Sequence, residues 1–200
     1  MSLSTVVFDV GNVLVEWNPL LAFAPELGSE TDAQAFLQRI GFADLNLRAD
    51  AGETFADLAD EIFDDEDRAL FLRYPDLYAR TIQQPIEGSF ALIDRLKARG
   101  HAVHAITNWS AETWPIGVSV HPRLASAFGV TLVSGEVGIL KPVQAIFDLM
   151  CTRAGVSPEG CLFIDDSPKN VAGAQAAGWA GHLFTTPEAL EAVLIEEGLL

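Results

Sequence analysis

Two hundred residues carry 28 acidic and 12 basic side chains, a formal charge of −16. That excess opposes binding to nucleic acid and to an anionic membrane surface, while a small anionic substrate stays open because the local field governs its binding. Half of the residues are hydrophobic, enough to bury a substantial core in one large domain or in a core with a small insert.

The chain opens with Thr5-Val-Val-Phe-Asp9, a short apolar run of the kind found in strands covered on both faces, and breaks at once into Gly11-Asn12. From about residue 18 to 84 the pattern is Ala, Leu, Phe and acids at helical spacing, as in Phe55, Leu58, Ala59 and Ile62, with no buried strand. Residues 87–100 put Phe90, Ile93 and Leu96 on one helical face and stop at Gly100. Residues 101–107 and 130–133 read as strands, and 134–142 as a flexible segment. Lys141 to Gly155 reads as a helix with Pro142 near its start and Gly155 at its end. Strand 161–166, helix 167–178, strand 180–184 and helix 187–198 complete the chain. This alternation predicts an α/β fold with a doubly wound parallel sheet that includes the first strand. The chain then divides into a core of residues 1–17 and 85–200 and a helical insertion of residues 18–84.

Cys151 and Cys161 form no CxxC pair or disulfide framework, and the N-terminus lacks a signal-peptide pattern. No run approaches the ~18–20 apolar residues of a membrane span. The expectation is a cytoplasmic protein without a membrane or nucleic-acid partner, its oligomeric state left open.

In an open parallel sheet, ligands bind beyond the carboxyl ends of the strands, at the topological switch point. Asp9, Thr107-Asn108 and Asp165-Asp166 stand at such ends, and Lys141 opens a helix. Singly, Asp9 is explained as a turn residue, Thr107 and Asn108 as a cap, and Lys141 as a solvated lysine. The acidic pair, followed by Ser167 and Asn170, calls for a divalent cation to neutralise it. Together these residues are the parts that phosphoryl transfer to a carboxylate needs. They supply a nucleophile, a cation to hold phosphate beside it, a hydroxyl for another oxygen, and a lysine for the developing charge.

At these residues the chain resembles the haloacid dehalogenase superfamily of hydrolases, over nearly its whole length. The carrying segments are FDVGNVL (8–14), AITN (105–108), LKP (140–142) and FIDDSPKNVAGAQAAG (163–178). The resemblance implies a Rossmann-like core, with residues 18–84 as the small helical cap domain. It implies Asp9 as nucleophile, Thr107 as the phosphate-binding hydroxyl with Asn108 beside it, and Lys141 as the charge-neutralising cation. Asp9, Asp165, Asp166 and the backbone carbonyl of Gly11 would hold Mg2+. One position departs from the pattern: Gly11 stands where most phosphatases of the family carry a second Asp as general acid and base. Glu16, or bound water, is the candidate replacement. Relatives with Phe-Asp-hydrophobic-Gly-Asn-Val include sugar-phosphate phosphatases. The implied function is a magnesium-dependent phosphatase acting on a small phosphate ester, a sugar phosphate among the candidates, through an aspartyl-phosphate.

Two alternatives stand beside it. A 2-haloacid dehalogenase uses the same Asp nucleophile without metal, but such enzymes usually carry an aromatic at the Gly11 position and lack the acidic pair. A non-catalytic phospho-ligand-binding protein is opposed by the cost of keeping these charges together without a function. In the insertion, the polar turn of residues 48–55 offers Arg48 and Glu53 as substrate contacts. Trp109 and Trp114 are divided between pocket wall and core. His101 and His104, three apart on a strand, face opposite sides and share no metal.

Overall fold

A computed structural model describes residues 3–200. Its centre is a five-stranded parallel sheet in the order β3-β2-β1-β4-β5. The strands are β1 (Thr5–Phe8), β2 (Ala102–Thr107), β3 (Thr131–Val133), β4 (Cys161–Asp165) and β5 (Ala180–Leu183). The chain winds outward from β1 to β3, then crosses back to β4 on the other side of β1. The switch point therefore lies between β1 and β4. Phe8 pairs with both Ala105 and Ile164, so the next residue, Asp9, leaves the sheet between two longer neighbours.

Alternation along β1 separates two cores. Val6 and Phe8 face one side with Leu96, Leu190 and Leu194; Val7 faces the other with Phe147, Phe163, Ala174 and Trp179. Between β1 and β2 the chain is helical, as its periodicity predicts. The elements are α1 (Leu20–Leu27), α2 (Glu30–Arg39), α3 (Phe42–Asp50), α4 (Phe55–Ala59), α5 (Asp65–Leu72), α6 (Tyr74–Leu77) and α7 (Glu87–Ala98). Phe55, Leu58, Ala59 and Ile62 are buried, as are Phe90, Ile93 and Leu96 on α7. Gly100 follows α7 at a φ of 84°, where a residue without Cβ ends a helix at little cost.

The helices before α7 pack around an aromatic cluster in which Tyr74 contacts Phe23, Phe42, Phe55 and Tyr78. The segments leading into and out of this helical block run side by side: Glu16 N–H donates to Gln84 O, and Ile86 N–H to Leu14 O.

After β2 come α8 (Trp114–Val120), α9 (Ser134–Val137), α10 (Gln144–Ala154), α11 (Pro168–Ala176) and α12 (Pro187–Glu196). Two expectations are corrected here. Residues 134–142 are not wholly irregular, because 134–137 form the short α9. Pro142 lies outside α10, which begins at Gln144. The backbone of Lys141 is tied on both sides to the Asn108 side chain, its N–H donating to Oδ1 at 2.9 Å and its carbonyl accepting from Nδ2 at 3.2 Å, so the helix starts beyond it. Gly155 caps α10 in the left-handed region, as expected. Among the described residues no helix is long and apolar enough to cross a membrane.

Candidate active site

The three central strands deliver Asp9, Thr107 and Asp165 to one edge of the sheet. Lys141 reaches the same point from the loop before α10. Its ammonium lies 2.8 Å from Asp9 Oδ1 and 2.7 Å from Asp165 Oδ2, with its side chain fully buried. Asp165 is saturated: Oδ1 accepts from Ser167 N–H at 2.8 Å, and Asn170 Nδ2 donates to both oxygens. Asp166 follows it at the exposed rim. One carboxylate oxygen each from Asp9, Asp165 and Asp166 lie within 4.8 Å of one another.

The charges of this group are unbalanced. Burial pushes the Asp9 carboxyl up to about 8, against the pull of Lys141 and with the added push of Asp165. Partial burial and the Asp165 charge also raise Asp166, with the Asn12 side chain and Lys141 opposing. Burial disfavours the Lys141 ammonium, yet the two carboxylates outweigh it and hold its pKa above the ordinary lysine value. Three carboxylates against one ammonium leave room for a hard cation with oxygen ligands. Because Asp165 spends its oxygens on Lys141, Ser167 and Asn170, Asp9 and Asp166 are the side chains freest to bind such an ion.

A cavity of about 140 Å3 opens over this edge, lined on the sheet side by Asp9, Gly11, Asn12, Asn108, Trp109 and Asp166, and closed from the helical block by Asn46, Asp50 and Tyr78. Trp109 takes both of its expected roles: it is buried against Tyr78 and Trp114, and it lines the cavity. Trp114 does not reach the wall. Thr107 is buried and not part of the wall, and its hydroxyl has no hydrogen-bond partner among the described residues. Asn108 lines the cavity while its amide holds the Lys141 backbone.

Arg48 and Glu53 are not brought to the site. Arg48 Nε donates to Glu53 at 2.8 Å and its Nη1 to Glu61 at 2.8 Å, an ion cluster on the surface of the block, because α3 turns its Asn46–Asp50 face inward instead. Glu16 is exposed and absent from the cavity wall. The wall residues that sequence reading missed are Asn12, Trp17, Asn46, Asp50, Tyr78 and Thr113. The i, i+4 spacing of Asn46 and Asp50 was the available signal, but a polar pair on a helix ordinarily faces water.

A family model described as haloacid dehalogenase-like hydrolase matches residues 3–178. A phosphoserine phosphatase from Thermus thermophilus is 36% identical over 89 residues, 44% of this chain and 35% of that one. Flavin mononucleotide hydrolase 1 from Arabidopsis thaliana is 29% identical over 114 residues, 57% of this chain and 46% of that one. The matches thus span less than half the length of either curated relative. A HAD family enzyme from Bacteroides thetaiotaomicron, solved as a magnesium complex, superposes with a TM-score of 0.74 at 20% identity, covering 97% of this chain and 99% of that one, a likeness of fold. The family match takes in the whole edge of the sheet built above, from Asp9 to Asp166, and the chain belongs to the haloacid dehalogenase-like hydrolases.

Proposed function

We propose that the chain is a magnesium-dependent phosphatase that cleaves small phosphate esters through an aspartyl-phosphate on Asp9. The observation that carries this reading is the convergence of Asp9, Asp165 and Asp166 on one point, with Lys141 between two of them. Asp9 and Asp166, with the Gly11 carbonyl and Asp165 completing the set, would hold Mg2+, whose charge would keep Asp9 ionised and hold the phosphate against it. The Asp9 carboxylate attacks phosphorus, Lys141 offsets the charge gathering on the phosphoryl oxygens, and the Thr107 hydroxyl, unpartnered among the described residues, donates to one of them. Water then cleaves the acyl phosphate and regenerates Asp9. Residues 18–84 act as a cap: hinged where residues 14–18 and 81–86 run side by side, they exclude water and contact the leaving group. Both curated relatives are named for phosphorylated substrates, which supports the reading. The carboxylate trio also weighs against metal-free dehalogenation, which has no use for it.

The test is phosphate release from 4-nitrophenyl phosphate and from a panel of sugar phosphates, with magnesium and after chelation, beside halide release from 2-chloropropionate. Magnesium-dependent phosphate release that Asp9→Asn abolishes, by on the order of 10⁴-fold or more, is the expected result. Halide release at full rate in chelator, without phosphatase activity, would overturn it.

A further inference from the structure

Gly11 cannot give a proton to a leaving alkoxide or take one from water, and Glu16 does not reach the cavity. Three acids line that cavity: Asp9, Asp166 and Asp50. The first two are committed to nucleophile and cation. Asp50 stands apart from them, as the last residue of α3 and the one carboxylate that the helical block contributes to the wall. Its placement is built. Asn46 Nδ2 donates to its Oδ2 at 3.1 Å, and Ser134 Oγ donates to its backbone carbonyl at 2.5 Å. The first bond fixes the carboxylate within α3 and the second ties the end of α3 to α9, so Asp50 takes its place in the cavity wall when the block is seated on the sheet.

We infer that Asp50 is the acid and base of this site, supplied by the helical block in place of the side chain that Gly11 lacks. The inference rests on the phosphatase reading above. As the Asp9 oxygen bonds to phosphorus and the phosphorus–oxygen bond to the leaving group breaks, the Asp50 proton passes to the leaving oxygen and the alcohol departs. The ionised Asp50 then takes a proton from the attacking water. The new oxygen–phosphorus bond expels the Asp9 carboxylate, inorganic phosphate leaves, and Asp50 is again protonated. The net change is ester plus water to alcohol plus phosphate.

The surroundings suit both halves. Burial raises the Asp50 carboxyl to about 7, with the Ser110 N–H and the Lys141 charge opposing, so near neutral pH both forms are populated. The other titratable groups around it are Tyr74 and Tyr78, both pushed further from ionisation by burial, together with Asp9 and Asp166 across the cavity. Coupling the proton donor to the seated block also means that the acid is in place only when water is excluded.

The experiment compares wild type, Asp50→Asn and Glu16→Ala on phosphate esters of graded leaving-group pKa, from 2,4-dinitrophenyl phosphate to alkyl and sugar phosphates, with magnesium present. Positioned acid-base help is worth about 10²–10⁴-fold, so Asp50→Asn should lose that much kcat/KM on alkyl esters. Its loss on the dinitrophenyl ester, whose leaving group needs no proton, should be smaller by about tenfold or more, and Glu16→Ala should follow wild type throughout. Equal losses on all esters would reduce Asp50 to a residue that seats the block, and no loss on alkyl esters would remove it altogether; either overturns the inference while the phosphatase reading stands. A wild type that releases no phosphate from any ester overturns both.

Discussion

The Lys141 ammonium sits 2.8 Å from Asp9, the first residue beyond the central strand, although 132 positions separate them along the chain. This contact, with the 2.7 Å contact to Asp165, makes the lysine both a structural and a chemical element of the site. Lys141→Ala leaves two buried carboxylates without their cation. Breaking a buried pair in this way costs about 3–5 kcal/mol, so the variant should melt markedly earlier. Its kcat/KM should fall about 10²–10³-fold, as when an oxyanion donor is removed. Thermal denaturation and steady-state kinetics on the same preparation check both numbers. Unchanged melting would show that the pair contributes nothing to folding.

Stability should fall as pH rises, and magnesium should offset part of that fall. Without metal, burial holds Asp9 at about 8, while in the unfolded chain it titrates near the ordinary aspartate value of 3.8. The native state therefore binds more protons across that window, and stability falls as pH rises through it. Asp50, raised to about 7, contributes with the same sign. In chelator the protein should melt higher at pH 5 than at pH 8. Added magnesium should recover the part due to Asp9 and Asp166, because it binds their ionised forms. A melting temperature that rises from pH 5 to pH 8 in chelator would contradict this.

A Cβ built at Gly11 meets nothing within 4 Å. Gly11→Asp is therefore sterically permitted and places a carboxyl in the cavity wall. In the Asp50→Asn background it should restore turnover of alkyl phosphates by about tenfold or more, since acid-base help is worth about 10²–10⁴-fold when well positioned. Kinetics of the single and double variants measure this. No recovery would mean that position 11 is badly aimed at the leaving oxygen.

Substrate ranking should follow the inner face of α3 and not its outer one. Asn46→Ala changes a cavity wall, and should alter relative kcat/KM among sugar phosphates more than it alters cleavage of 4-nitrophenyl phosphate. Arg48→Ala removes an exposed ion cluster with Glu53 and Glu61, where single pairs are typically worth at most about 1 kcal/mol, and should leave the ranking as it is. A substrate panel run on both variants decides the matter.

Gly52, at a φ of 109°, approaches the Gly135 carbonyl so closely that an added Cβ would stand 3.2 Å from it. This is where the turn after α3 rests on α9. Gly52→Ala brings both backbone strain and a close contact, and should lift the turn that carries Asp50. The expected result is a larger loss on alkyl than on dinitrophenyl esters, with the sheet intact by far-ultraviolet circular dichroism. An equal loss on both would place the damage elsewhere than the proton donor.

The order of strands and helices, the helical character of the block from about residue 18 to 84, and the gathering of Asp9, Thr107, Lys141 and the acidic pair were legible in the sequence. These features follow from short-range periodicity and from the rule that polar groups at the carboxyl ends of parallel strands share one edge. The start of α10 was misplaced because the side chain of Asn108, distant in sequence, holds Lys141 out of the helix. The cap side of the cavity was not legible at all. Arg48 and Asp50 stand two residues apart on one polar helix, and sequence chemistry ranks the arginine first as a partner for phosphate. Only the docking of α3 onto the 108–112 loop and α9 decides which of them turns inward. That docking depends on Ser134 and on Glu112, the latter accepting from Phe55 N–H at 2.7 Å, both far away along the chain. The pKa of Asp50 is settled at the same step, because it is set by burial, which no local pattern encodes.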